Sequence, residues 1–372
     1  MALAGGFSLA TASASPRQRR VALAVCGLLI VITAAVLPHS TAQLPVIPAF
    51  LPTFAAAVFI LDVLTAFLLF SQFATGRSVS LALLAATYLF SGLIVVVQIG
   101  TFPGVYTAAG LFGAGTQTAV WLWMFWHAGF PLGILTYAIA DWRSDAIVEV
   151  GRTTRILASL VTAVVVLVLF LAVLTTRFGA FLPPLVAHGN YAAAFHYGVA
   201  QFVLVAAAAA PLALLKGSRT TAVSHVWLVV AATALLADCV LTLFGGARFT
   251  LGWYLARFDS VIVSATILIV FLFEIHVLYR RLARAASVAA FRGLILAQPA
   301  MSSVRQTRRY TLPRMRDEIA LWPIRFRRER NTISARSDHR CPRLQPRACR
   351  LPHRCALPVV PDRRFPGSSR AR

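Results

Sequence analysis

Eight apolar runs of about 20 residues each, almost free of charge, constrain the fold more than any other feature of the sequence. A helix of that length crosses the roughly 30 Å hydrocarbon core of a membrane, because each residue adds about 1.5 Å. The runs cover residues 21–37, 53–73, 80–99, 118–140, 156–174, 195–215, 226–244 and 258–279. We therefore predict an all-α integral membrane protein with about eight transmembrane helices.

Basic residues in the short connections between these runs predict the orientation of the helices. One set of connections carries Arg17, Arg19, Arg20, Arg77, Arg143, Arg152, Arg155, Lys216, Arg219, Arg280, Arg281 and Arg284. The opposite set carries only Arg177, Arg248 and Arg257. Because basic residues concentrate on the cytoplasmic side, both termini are predicted to be cytoplasmic. Four tryptophans near the predicted outer ends are expected to anchor helices at the membrane interface: Trp121, Trp123, Trp126 and Trp253.

The sequence divides into three predicted segments: a cytoplasmic N-terminal tail, 1–20, a membrane-embedded domain, 21–292, and a basic tail, 293–372. The formal charge is +23, but residues 302–372 hold 19 arginines and 5 acidic residues, against 16 basic and 7 acidic residues before them. This part of the tail therefore carries +14 of the net charge and the rest of the chain +9, and no nucleic-acid partner is expected. The tail lacks apolar periodicity, which predicts disorder or translation of a GC-rich gene out of frame. The basic cluster at 17–20, followed by the apolar run 21–37, is also the pattern of a cleaved signal peptide. The many later spans favour a retained first helix instead.

Several polar side chains fall inside the predicted spans and are candidates for a functional site. A charged group in a bilayer costs several kcal/mol unless it is paired or hydrated. Asp62, His127, Asp238 and Asp259 lie at similar predicted depths on four helices, biased towards the outer side. They could line a pocket for an external signal, or they could be structural groups that bond to neighbouring helices.

The predicted fourth span contains a second candidate feature within one turn. Pro131 lacks an N–H group, so the carbonyl group of His127 loses its helical partner, and Gly129 loosens the same turn. An unpaired carbonyl beside an imidazole could form a hinge or a ligand contact. Prolines in membrane helices are also common as packing features, and both interpretations stay open.

Three stretches resemble a known family. TFPGVYTAAGLFGAGTQTAVWLWMFWHAGFPLGILTYA at 101–138, LDVLTAFLLFSQF at 61–73 and LGWYLARFDSVIVSATILIVFLFEIHVLYRRLARA at 251–285 are similar to the membrane-associated sensor family of the fourth type. The heptapeptide FWHAGFP is the most specific part of a resemblance that covers about residues 15–290. It implies a bacterial input module that is normally fused to a diguanylate cyclase or a histidine kinase.

The chain departs from this pattern after about Arg292, where an output domain is expected. It contains no GGDEF or EAL string and no glycine-rich ATP lid. The resemblance therefore implies a non-catalytic sensory module whose output domain is missing or out of frame. Its expected setting is the bacterial inner membrane, with the lipid bilayer, an unknown small ligand and a second copy in a homodimer as partners. The last helix would pass the signal on.

The main alternative is a small-molecule or ion transporter, which would use the same membrane carboxylates. Against it, the sequence shows no inverted repeat. No cofactor is expected, because the only lysine, Lys216, falls in a predicted loop and cannot form a retinal Schiff base within a span. No metal is expected either, since the spacing of Cys341, Cys349, His353 and Cys355 fits no standard zinc site.

Overall fold

The structure is a computed structural model that describes residues 13–143, 146–187, 190–216 and 222–310, with side-chain surroundings up to residue 292. The chain divides into a first unit, Met1–Pro299, which contains the helix bundle, and a second unit, Ala300–Arg372. Residues 300–310 of the second unit are helical. The start of the predicted N-terminal tail and the predicted basic tail from residue 311 lie outside the described residues.

The described residues are helical apart from the connections and four isolated β-bridges. The helices are α1 (Pro16–Val36), α2 (Phe50–Gly76), α3 (Val79–Gly100), α4 (Thr118–Trp142), α5 (Thr153–Arg177), α6 (Ala192–His196), α7 (Val199–Leu215), α8 (Val223–Phe244) and α9 (Leu251–Tyr310). Within the described residues, seven helices are long and apolar enough to cross a membrane, and α7 is a shorter apolar helix. The prediction of an all-α membrane protein is confirmed.

The sixth predicted span differs from the structure, because the run 195–215 is divided between α6 and α7. Gly198 lies between the two helices with φ +77°, a left-handed conformation that glycine adopts without steric cost. The remaining 17 residues of α7 give a length of about 25 Å, at the lower limit for a crossing. A hydropathy pattern does not register this break, because it averages over about 20 residues and carries no information on backbone conformation.

Local signals at the helix termini agree with the sequence. The side chain of Ser15 accepts a hydrogen bond from the backbone of Gln18, whose own side chain returns to Ser15, so α1 begins with a capping box. The side chain of Ser78 caps α3 by accepting a single hydrogen bond from the backbone N–H group of Leu81. Between α2 and α3, Arg77 adopts φ 57°. Its carbonyl group accepts a hydrogen bond from the backbone N–H group of Val148, which lies in the connection between α4 and α5.

The core of the bundle is formed by α3, α4 and α8. Helix α3 packs against α2, α4 and α5, while α7 packs against both α4 and α8, and α1 packs against α8. Helices α1 and α5 bury few of their side chains and expose many apolar ones. Such outward apolar faces are the surfaces that a membrane protein presents to lipid.

The expectation that four tryptophans anchor the membrane interface is wrong. Trp121, Trp123, Trp126 and Trp253 are all buried, with exposed fractions of 8%, 3%, 5% and 1%. The indole N–H of Trp126 donates to Ser91 at 2.7 Å, and that of Trp121 donates to the Pro183 carbonyl group at 3.1 Å. The bundle interior thus supplies apolar contact to all four rings and a hydrogen-bond acceptor to two of them.

Connecting segments cover one end of the bundle. The segment before α2 bonds to the start of α9, through Leu44 to Phe249 and Gly252 to Ser40, both at 2.9 Å. The Gln117 side chain at the start of α4 accepts bonds from the backbone N–H groups of residues 185 and 186. The first pair of bonds thus holds the α1–α2 connection against the start of α9, and the second holds the α5–α6 connection against the start of α4.

Candidate functional site

The centre of the candidate site is a buried contact between α4 and α8. The Nε2 atom of His127 lies 3.0 Å from Oδ2 of Asp238. Both residues are at most 1% exposed. The sequence predicted both as intramembrane polar residues, and the structure joins them directly.

Three more side chains complete the surroundings of Asp238. Thr242, one turn further along α8, donates to Oδ1 at 3.1 Å, and Ser260 of α9 donates to Oδ2. The Nη1 atom of Arg257 lies 3.9 Å from Oδ1 and donates to the Thr242 hydroxyl group at 3.0 Å. A buried carboxylate needs paired charges and hydrogen-bond donors of this kind. We call His127, Asp238, Thr242, Arg257 and Ser260 the polar cluster.

The second nitrogen of the His127 ring limits the protonation states that fit this geometry. Nδ1 lies 3.0 Å from the carbonyl oxygen of Trp123, one turn earlier on α4. A carbonyl oxygen and an ionised carboxylate both only accept hydrogen bonds, so the two contacts together require a proton on each ring nitrogen. With Asp238 ionised the contact is an ion pair, whereas a protonated Asp238 that donates to Nε2 fits a neutral ring whose proton is on Nδ1.

Aromatic rings enclose the polar cluster. Trp123 stacks on the His127 ring with a centroid distance of 4.0 Å, and Trp126 approaches its edge at 4.7 Å. The Arg257 guanidinium lies 4.7 Å from the centre of the Trp253 ring. These contacts exclude water and add cation–π attraction. The indole N–H of Trp123 is buried and has no acceptor among the described residues, so one donor beside the imidazole remains available.

Asp62 lies on α2 and is fully buried. Neither of its carboxyl oxygens has a hydrogen-bond partner of ordinary geometry among the described residues, although the hydroxyl groups of Ser91 and Ser264 are its polar neighbours. Ser91 also accepts the hydrogen bond of Trp126, which touches His127. Asp62 and the polar cluster are therefore neighbouring sites connected through α3.

Asp259 is the least integrated of the predicted carboxylates. It is 5% exposed, and its Oδ2 atom has no hydrogen-bond partner among the described residues. In the connection before α9, Arg248 lies 4.4 Å from the centre of the Phe102 ring. Burial lowers the pKa of the Arg248 guanidinium.

Gly129 and Pro131 lie inside the continuous helix α4, one turn from His127. A Cβ atom at Gly129 would lie 2.5 Å from Cε1 of Phe90, and one at Gly133 would lie 2.2 Å from Oγ1 of Thr87. The two glycines, four residues apart, therefore let α3 approach α4 closely, a common arrangement in membrane helix pairs. Whether Gly129 and Pro131 also act as a hinge remains a prediction.

Sequence reasoning missed Arg257, which it assigned to an outer connection. Helix α9 begins at Leu251, seven residues before the predicted span, so Arg257 lies inside the helix and is 4% exposed. Arg257 lies at the edge of the predicted span, three residues before Ser260, and no acidic residue lies on the same helix face. That pattern could have indicated a partner on another helix. The hydroxyl groups of Thr242 and Ser260 carry no comparable signal.

The arrangement is suited to moving charge or protons and to switching between hydrogen-bond partners. Among the described residues, no group of three or more His, Cys, Asp or Glu side chains could hold a metal ion. The polar cluster instead joins an imidazole, a carboxylate and a guanidinium from three helices. Loss or gain of one proton would change its net charge and hence its preferred packing.

Comparison with protein families identifies one match. The family model described as a membrane-associated sensor, integral membrane domain (MASE4) matches residues 45–279, which is more than half of the chain. Comparisons with curated proteins and with solved structures find no significant match. The matched residues include α2 to α8 and the part of α9 that carries Arg257 and Ser260. The chain thus belongs to the MASE4 family of membrane-associated sensor domains.

Proposed function

We propose that this protein is a sensory input module of a bacterial inner-membrane signalling system, and that α9 couples a signal to a cytoplasmic output. The observation that carries the proposal is the position of Arg257 and Ser260. Both contact the buried carboxylate of Asp238 or its partner Thr242, and both belong to the helix that continues to Arg292.

A continuous helix is a suitable mechanical link. The 42 residues of Leu251–Arg292 correspond to a length of about 63 Å, roughly twice the hydrocarbon thickness. A change of partner at Arg257 or Ser260 would rotate or tilt α9, and the far end would move with it. Buried clusters of this kind favour discrete arrangements over gradual deformation, which suits a two-state signal.

Unsatisfied polar groups beside the polar cluster support a small ligand as the stimulus. The Trp123 indole N–H and both carboxyl oxygens of Asp62 are buried without a partner among the described residues. A bound small molecule, ion or water could satisfy them. The arginines of the short connections favour cytoplasmic termini, an orientation that would put the polar cluster towards the outer side of the membrane. The proposed stimulus therefore comes from outside or from the membrane.

The far part of α9 is suited to pairing with a second copy or with an output domain. Its side chains from Tyr279 to Arg292 are exposed, including the apolar Leu282, Val288 and Phe291. A homodimer would cover these side chains, and a change in the pairing of two α9 helices would transmit the signal. Catalysis would be supplied by the output partner.

The test is a fusion of residues 1–292 to a diguanylate cyclase whose activity depends on the helix that enters it. Arg257→Gln and Ser260→Ala should change the basal cyclic dinucleotide output by severalfold, because each removes a contact to Asp238. Arg248→Gln is the matched control, since that arginine lies near the same end but binds the Phe102 ring. Equal outputs from all variants, at equal membrane levels, would reject the proposed coupling.

One observation favours transport as the second candidate. The unpartnered carboxyl group of Asp62 lies in the middle of the bundle, where ion pathways often carry a carboxylate. Proteoliposomes that contain the protein should show no proton or sodium flux beyond empty liposomes if it is a sensor. A flux that Asp62→Asn abolishes would favour the transporter.

A further inference from the structure

A groove remote from the polar cluster opens between α1 and α9, with the start of α8 behind it. Its volume is about 870 Å³, within the range of small-molecule pockets. The walls are mostly apolar, formed by Val21 of α1, Trp227 of α8, and Ile269 and Phe273 of α9. Val21, Ile269 and Phe273 are 44%, 62% and 57% exposed, so the groove opens outward.

The charged residues that line the groove lie at one end. Gln18 of α1 donates to Glu274 of α9 at 3.3 Å, which connects the two walls. Arg17 and Arg281 lie at this end and form no salt bridge with an acidic residue among the described side chains. Arg17 lies one turn before Val21 on α1, and Arg281 lies after the apolar stretch of α9. Both arginines are therefore at the same end of the groove, and the apolar side chains extend away from them. The groove is therefore amphipathic along its length.

We propose that this groove binds an anionic phospholipid. Its phosphate group would lie between Arg17 and Arg281, whose planar guanidinium groups suit a phosphate oxygen pair. One acyl chain would follow the apolar walls towards Ile269. The Arg and Lys distribution assigns this end to the cytoplasmic leaflet, where anionic lipid headgroups are available.

A second copy of the chain suits the groove less well than a lipid. A two-fold symmetric contact through this face would bring the arginines of one copy close to those of the other. Like charges at such a distance repel, whereas a phosphate neutralises them. A soluble anion, for its part, would leave the exposed apolar walls without an occupant. Lipid binding here does not depend on the proposed signalling role.

The first test is native mass spectrometry of the full chain in detergent, with phosphatidylglycerol and phosphatidylcholine of identical acyl chains. The wild-type protein should prefer phosphatidylglycerol. The double variant Arg17→Gln/Arg281→Gln should lower that preference about tenfold, the equivalent of one charge-assisted contact. Inorganic phosphate at millimolar concentration should not displace the bound lipid, because it cannot fill the apolar walls.

The matched control is the double variant Arg20→Gln/Arg284→Gln. It removes the same charge from the same helix ends, but these two arginines do not line the groove. It should retain the preference. An equal loss in both double variants would show attraction to a basic surface only and would overturn the proposal, as would an unchanged preference in the first variant.

A third variant tests the apolar part of the groove. Val21→Trp places a bulky exposed side chain in the groove without disturbing the core, and it should weaken binding of both lipids equally. If it instead changes the ratio of monomer to dimer in lipid-free detergent, the occupant is a second copy and the lipid proposal is wrong. Unaltered lipid binding would also overturn it.

Discussion

His127 and Asp238 are 111 residues apart in the sequence, yet Nε2 of one lies 3.0 Å from Oδ2 of the other in the interior of the bundle. The contact joins α4, which carries the most family-specific heptapeptide, to α8, and through Ser260 and Arg257 to α9. A change at the imidazole therefore has a direct route to the helix that leaves the bundle.

Removal of either partner of this contact should destabilise the protein. His127→Ala and Asp238→Asn are each expected to lower the free energy of unfolding by about 1–3 kcal/mol, because a buried polar group loses its partner. Thermal or denaturant unfolding in detergent measures the effect. The double variant should lose less than the sum of the two single losses, as expected for groups in contact. Strict additivity would show that the two side chains do not interact.

Asp62 should behave in the opposite way, because its buried carboxyl group has no hydrogen-bond partner among the described residues. Asp62→Asn keeps the shape and removes the cost of a buried charge, so stability should stay the same or rise. The same unfolding measurement compares it with Asp238→Asn. A loss as large as that of Asp238→Asn would mean that Asp62 has a partner or bound ion in solution.

The close approach of α3 and α4 predicts a steric effect at Gly129. Gly129→Leu should lower the unfolding temperature strongly, because even a Cβ atom would lie 2.5 Å from Phe90. Gly27→Leu is the control, since nothing lies within 4 Å of a Cβ atom there. Phe90→Ala combined with Gly129→Leu should recover part of the loss. If Gly129→Leu is as stable as the control, the two helices do not pack this closely.

Pro131 tests the hinge prediction. Pro131→Ala supplies an N–H group that can bond to the carbonyl group of His127, so stability should stay the same or rise. If the missing bond serves signalling, the output of the cyclase fusion should fall or become insensitive to stimulus, and His127→Ala should also impair it. Wild-type output from both variants, at equal membrane levels, would leave FWHAGFP with a packing role only.

The topology prediction can be tested with reporter fusions. Fusions after Ala42, Gly110, Gly189 and Gly246 should report the outside, and fusions after Gly76, Arg152, Gly217 and Arg284 should report the cytoplasm, because of the distribution of basic residues. Alkaline phosphatase and green fluorescent protein give complementary readouts. Two or more inverted reports would contradict the orientation.

Hydropathy was sufficient to predict the class of fold and the bounds of six helices, α1 to α5 and α8, to within about five residues. It works because a membrane crossing depends on about 20 consecutive residues, and those are visible in the sequence. It was less accurate at Gly198, where a left-handed backbone divides one apolar run, and at Leu251, where α9 begins earlier than its apolar stretch.

The composition of the site was partly predictable, but its connections were not. Asp62, His127 and Asp238 were identifiable as costly polar groups in apolar runs. Only the tertiary structure decided that His127 and Asp238 bind each other, that Asp62 is left without a partner among the described residues, and that Arg257 belongs to the interior. The depth of a residue follows from its position in a run, whereas its partner depends on how each helix is rotated and which helices are neighbours. Those variables are set by packing across the whole bundle, where glycines such as Gly129 determine how closely two helices approach.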